Sequence, residues 1–181
     1  MNIFYLDEDP KVCAQLHCDK HVVKMIIEYA QLMSTAHRVL DGEMYVDRTA
    51  NGRRIKRWRL SNTEDEKLIY KASHINHPSG IWTRTSKENY KWLFELWCQL
   101  CLEYTHRYRK RHLTDEKLFH IIAKLPKNLP DGPLTKMAQA MPEDVKTDNS
   151  IVAYQDYYKK YKSQIARWTD RPIPEFMQCT A

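Results

Sequence analysis

The 181-residue chain is 43% hydrophobic and carries 29 Lys and Arg against 23 Asp and Glu, a net charge of +6, which suits one domain with its own core and not two. Its four glycines are too few for a Gly-rich phosphate loop or a many-turned all-β fold, both of which need residues free to take positive φ. Five cysteines with no signal-like segment before them, and no run approaching a membrane span, read as thiols of a cytoplasmic protein with no membrane partner.

NIFYL fits one short strand, after which Asp9-Pro10 supplies a cap and first-turn proline for a helix running to Leu40 and ended by Asp41-Gly42. MYVDRTANGRRIKRWRL offers two β-capable arms around a two-residue hairpin turn at Asn51-Gly52. Asn62 caps a short helix over Glu64 to Ala72, and SHINHPSG is irregular because Pro78 forces His77 out of helical geometry. A second long helix runs from Ser86 to Arg111, another helix from Thr114 to Lys124, and Pro126, Pro130, Pro133 and Pro142 mark a loop. Ser150 to Trp168 forms the last helix, with RPIPEF an extended tail. The fold class is therefore mainly α: a compact single domain over 1–181 (core 1–168, tail 169–181) with two long central helices, several short ones and a small basic β-hairpin.

Within HCDKHVVKMIIEYAQLMSTAHR, residues His17, His21, Lys24, Glu28, Gln31, Thr35 and Arg38 recur at steps of four and three, which puts them on one helix line. Apolar residues fill nearly every other direction, the pattern of a helix central in its domain. The line is then either a solvated face or a row lining an interior cleft, where burial would tune His21, Lys24 and Glu28 for proton transfer. His74 and His77 in SHINHPSG are candidate acid/base groups facing that row, and Asn76, Trp82, Arg84, Asn89, Trp92 and Arg107 form the candidate substrate-binding set. Trp82 or Trp92 would stack on a base extruded between the two long helices. A metal set can be drawn from His17, His21, His74 and His77, but with no carboxylate cluster beside them neither metal nor cofactor is assigned. Cys98 and Cys101, a C-x-x-C inside LFELWCQLCLEY, read as packed thiols.

Arg48, Arg53, Arg54, Lys56, Arg57 and Arg59 crowd six cations into twelve residues, and Lys159 and Lys160 lie among tyrosines. Cations interleaved with aromatics suit phosphates and base faces, so DNA, taken as duplex, is the expected partner, with the ribbon sized for the major groove.

The phrases CDKHVVKM at 18–25, HINHPSGIW at 74–82, NYKWL at 89–93 and EYTHRY at 103–108 resemble those of a group of small phage-encoded proteins. More distantly, the layout is similar to that of the pyrimidine-dimer DNA glycosylases of the phage endonuclease V type, compact helical proteins that use an N-terminal amine as nucleophile and a glutamate on the first helix. The resemblance implies Glu28 as the acid/base carboxylate, Lys24 and Arg38 in place of the family's arginines, and the cytoplasm of an infected host cell as the location. That family removes its initiator Met to expose a small residue; Asn2 disfavours removal, so the Met1 amine stands one residue out of register and Lys20 or Lys24 is the substitute nucleophile. The function implied is a DNA enzyme acting on an extruded plain or modified pyrimidine, by glycosidic-bond cleavage or by group or amine transfer. A non-catalytic nucleic-acid- or nucleotide-binding phage protein and a metal-dependent hydrolase are the alternatives.

Overall fold

Asp9 caps the first helix, α1 (Pro10–Leu16), by accepting the N–H groups of Lys11 and Val12, in a computed structural model that describes residues 1–178. The helix expected to run on to Leu40 breaks at His17 and Cys18, both extended, and restarts as α2 (Asp19–Asp41). The cause is the His17 ring: its Nδ1 meets the Cys13 carbonyl at 2.7 Å, taking the partner that the His17 backbone N–H would have in a continuous helix. NIFYL is not a strand. Its backbone is satisfied instead by side chains, Phe4 N–H donating to Tyr29 Oη, Leu6 N–H to Cys13 Sγ, and Gln155 Nε2 donating to the Leu6 carbonyl.

α2 ends at Asp41-Gly42 as expected, but Gly42 has φ −92° and is needed for space, since a Cβ there would lie 2.5 Å from the Arg38 carbonyl oxygen. β1 (Glu43–Arg48) then pairs antiparallel with β2 (Arg54–Arg59), in register from Glu43↔Arg59 to Arg48↔Arg54. Their connection is wider than the two-residue turn expected at Asn51-Gly52: Gly52 N–H bonds to Thr49 O and Thr49 N–H to Arg53 O. A two-residue turn of that type needs positive φ at both central positions, whereas here Gly52 takes it (φ 78°) and Asn51 does not.

Asn62 caps α3 (Thr63–Leu68), which stops four residues before the expected Ala72 because Arg38 collects its outgoing carbonyls. His77 is extended, as Pro78 requires, yet α4 (Pro78–Thr83) begins there, capped by the His77 ring through Nδ1 and Ser79 N–H. α5 (Lys87–Tyr108) is capped by Ser86 and closes on Arg109 in the left-handed region (φ 56°), short of Arg111. α6 (Leu113–Ile122) follows, and α7 (Ser150–Tyr161) ends before the expected Trp168, with 3-10 turns at Ser163–Ile165 and Glu175–Met177 where the sequence predicts helix and extended tail. The last three positions of that tail, Cys179 included, lie outside the described residues.

The mainly α reading holds: α2 and α5 are the central pair, with Met25, Ile26, Tyr29 and Met33 sharing one apolar cluster with Leu93, Leu96, Trp97 and Leu100. Trp97 also donates its indole N–H to the Ile26 carbonyl across the pair. Ribbon and α3 join this frame through Arg38, which is 2% exposed and donates to the carbonyls of Trp58, Glu66, Ile69 and Tyr70 and to the Glu66 carboxylate. Replacing Arg38 by Met strands that carboxylate and those carbonyls, so the expected result is a loss of about 3 kcal/mol in urea unfolding. Limited proteolysis should then cut between residues 43 and 75 sooner than in the parent chain.

Candidate functional site

The polar line of α2 does not face a single environment; it divides along its length. Its C-terminal part is a seam for the chain that follows α3. Gln31 Nε2 donates to Lys71 O at 2.7 Å, Thr35 Oγ1 meets both the N–H and carbonyl of Ser73, and Arg38 holds the residues before them. Arg38 is thereby spent on backbone and cannot stand in for a substrate-binding arginine.

At the other end His21 leaves the row and turns inward, Nδ1 at 2.5 Å from Tyr158 Oη and the ring stacked on Phe4 with centroids 4.2 Å apart. His17 is likewise interior, with Nε2 at 2.9 Å from Tyr29 Oη. Burial pulls the His17 imidazole down to about 4 and the His21 imidazole down to about 3, nearby positive charge adding to the second effect. Both rings are neutral near pH 7, and both nitrogens of His17 and Nδ1 of His21 are already engaged inside the fold. Among the described residues no cluster of three or more His, Cys, Asp or Glu side chains is placed to hold a metal ion.

Between these ends Lys24 and Glu28 face outward. Glu28 Oε1 lies 3.1 Å from Lys24 Nζ, and Oε2 lies 3.5 Å from the α-amine of Met1, brought there by the buried Ile3 and Phe4. The Glu28 side chain is 19% exposed, that of Met1 11% and that of Lys24 68%, so Met1 is the more enclosed partner and Lys24 the more solvated one. His77 belongs to the same neighbourhood. Burial lowers its pKa, the positive charges of the Met1 amine and of His74 add to this, and Glu28 opposes it. Its Nδ1 accepts the Ser79 N–H, which leaves the proton of the neutral ring on Nε2.

His77 also lines a groove of about 820 Å³ between the ribbon and residues 72–78. On the loop side His74 and Asn76 are exposed, and His74 holds a left-handed backbone (φ 49°) within a turn closed by His77 N–H on His74 O. Arg84 supports this turn from beneath through Nη2 to Ile75 O at 2.6 Å, so it positions the loop and does not face the groove. On the ribbon side, cross-strand pairing puts Arg48, Arg54, Lys56 and Trp58 on one face, and Tyr45, Arg57 and Arg59 on the other, where the Arg59 guanidinium lies 4.9 Å over the Tyr45 ring. Arg53, in the turn, reaches the groove as well.

The remaining expected site residues are structural. No cleft separates α2 from α5. Trp82 and Trp92 are buried and donate their indole N–H groups to Thr135 O and Glu8 O. Asn89 is fully buried, its Nδ2 on Trp82 O and Thr135 Oγ1 and its Oδ1 taking the Thr135 N–H. Arg107 is buried between Glu103 and Asp19, where Arg171 and Thr169 also bind, so this cluster fastens the C-terminal segment to the central helices. Lys159 pairs with Asp156 and Lys160 with Asp144. The Cys98 and Cys101 thiols are packed and free, and burial pushes Cys98 up to about 12. What sequence reasoning missed is Trp58; its period-two spacing from Arg54 and Lys56 in RRIKRWR was the available signal.

No protein-family model, curated protein or solved structure matches the chain. Among the described residues, no helix is long and apolar enough to cross a membrane.

The two interior histidines set an acid limit on the fold. Their folded pKa values lie below the 6.5 of an unperturbed ring, so as pH falls from 6.5 to about 4 the unfolded chain takes up protons that the folded one refuses. Stability is complete above that window and is lost on descending through it, by about 3 kcal/mol from His17 alone. Urea midpoints measured from neutral pH down to 4 should fall accordingly; a flat profile would refute neutral burial of both rings.

Proposed function

We propose that the protein is a DNA-acting enzyme that cleaves a glycosidic bond with an amine held against Glu28. The observation that carries this reading is the Glu28 carboxylate set between two amines, 3.5 Å from that of Met1 and 3.1 Å from Lys24, with His77 shared between that site and the cationic groove. An amine is a nucleophile only without its proton, and a carboxylate within reach is the group that accepts it. One ammonium proton passes to Glu28 and on to the departing base; the lone pair so freed forms a bond to the sugar C1′ as the bond from C1′ to the base breaks, and the base leaves with that electron pair and takes that proton. Glu28 then accepts a second proton, from the nitrogen now bonded to C1′, and passes it to the ring oxygen as the sugar opens, which leaves a protonated C=N bond between protein and sugar. The neutral His77, with its proton on Nε2, donates a hydrogen bond to the departing base. Arg48, Arg53, Arg54 and Lys56 supply the phosphate contacts.

Of the two amines the α-amine is favoured, because it is fixed by buried neighbours where Lys24 is mostly exposed. Amine or group transfer onto a base would use the same pair but leave the glycosidic bond intact, so the products separate the two reactions.

Incubation with plain and phage-modified DNA in the presence of borohydride should trap a covalent protein–DNA adduct that maps to Met1, or to Lys24 if the lysine is the nucleophile. Glu28→Gln should lower the rate by on the order of a hundredfold or more with DNA binding retained. If Glu28→Gln changes nothing and nucleoside mass spectrometry finds every substrate unaltered, the protein is a binder and the enzymatic reading fails.

A further inference from the structure

The groove and the ribbon face above it carry more information than a net positive charge. Four of the five tryptophans, Trp82, Trp92, Trp97 and Trp168, donate their indole N–H groups to backbone carbonyls inside the fold. Trp58 instead lines the groove, half-buried, with Ile55 on the same strand and Ala72, Ile75 and Pro78 on the opposite wall. Its strand neighbours at spacing two are Lys56 and Arg54, and Arg53 follows in the turn. Along the same ribbon face Met44 and Val46, paired with Trp58 and Lys56, are 49% and 50% exposed, so the apolar track continues beyond the groove itself.

A closed duplex offers such a wall nothing to cover. Its base faces are stacked on one another, and its accessible surface is phosphate, sugar and base edge. An unpaired base brings a free aromatic face, which an apolar wall with one half-buried indole accepts, while cations placed beside that indole meet the flanking phosphates. The edge of the same base would meet Asn76, which both donates and accepts, and the Nε2–H of His77. A volume of about 820 Å³ lies within the range of sites that enclose a small organic ligand.

We infer that the groove between the ribbon and residues 72–78 holds an unpaired nucleotide, its base against Trp58 and its phosphates on Arg53 and Arg54. The protein therefore prefers single-stranded or locally opened nucleic acid to closed duplex. This rests on the nucleic-acid part of the function proposed above, but not on its chemistry.

The test uses the full chain and three probes of one sequence: a short single strand, its fully paired duplex, and the same duplex with a central unpaired bubble. Fluorescence anisotropy should give single strand and bubble at least about tenfold tighter binding than the closed duplex. Trp58→Ala should weaken the single strand by on the order of tenfold to a hundredfold without changing the salt slope, and Trp58→Phe should restore most of it. Arg53→Ala with Arg54→Ala should flatten the salt slope instead. Because Trp58 also packs against Gly42, a second readout keeps the parent protein: a single strand carrying 2-aminopurine should show the fluorescence quenching of a base stacked on an aromatic ring. Equal or tighter binding of the closed duplex, or the absence of quenching, overturns the inference and leaves nucleic-acid binding standing. Failure to bind all three probes overturns both.

Discussion

The candidate functional face of this protein hangs from one buried guanidinium. Arg38 has five N–H groups and spends all five, on the carbonyls of Trp58, Glu66, Ile69 and Tyr70 and on the Glu66 carboxylate. A fork of fixed geometry is suited to this task, because a single planar group dictates the relative placement of the ribbon's end, α3 and the chain beyond it. Gln31 and Thr35 continue the docking toward the N-terminal end of α2, so the loop with His74 and His77 arrives beside Glu28. A groove wall and an amine–carboxylate pair that are distant in sequence become neighbours through these backbone-directed bonds.

The same helix sorts its ionisable groups by solvation. Interior positions hold histidines that burial keeps neutral, satisfied by Tyr29 and Tyr158. Positions with access to water hold Lys24 and Glu28, where charge is affordable and an opposite charge lies within 4 Å. The N-terminal segment completes the arrangement. Ile3 and Leu6 are fully buried and the Phe4 N–H is tied to Tyr29, which anchors the chain just after Met1 and aims its amine at the carboxylate.

Strand geometry accounts for the ribbon. Six cations in a twelve-residue stretch repel one another, but a period of two divides them between faces and turn, and puts Trp58 with Arg54 and Lys56. The cations of the last helix instead find carboxylates at once, Lys159 with Asp156 and Lys160 with Asp144, which removes them from the count of free charge. Cations interleaved with aromatics made both clusters look alike; the difference lies in which side chains the fold places opposite them.

Local chemistry by itself determined much of this protein. The caps at Asp9, Asn62 and Ser86, the exit at Asp41-Gly42, the extended His77 before Pro78 and the period-two arms of the ribbon are consequences of residues within a few positions of one another, and they hold in three dimensions. So does the mainly α class with its two central helices, because the apolar faces of α2 and α5 have to be buried, although Val23 and Ile27 stay exposed. Tertiary structure decided the rest. A spacing of three and four fixes which residues share a line, but not whether that line meets water, backbone or another ring. His21 met Tyr158, Arg38 met four carbonyls, and Glu28 met the α-amine of Met1, partners that lie 137, 20 to 32 and 27 residues away. Whether a polar side chain is spent on the fold or left free for a ligand depends on such distant partners, and periodicity carries no record of them.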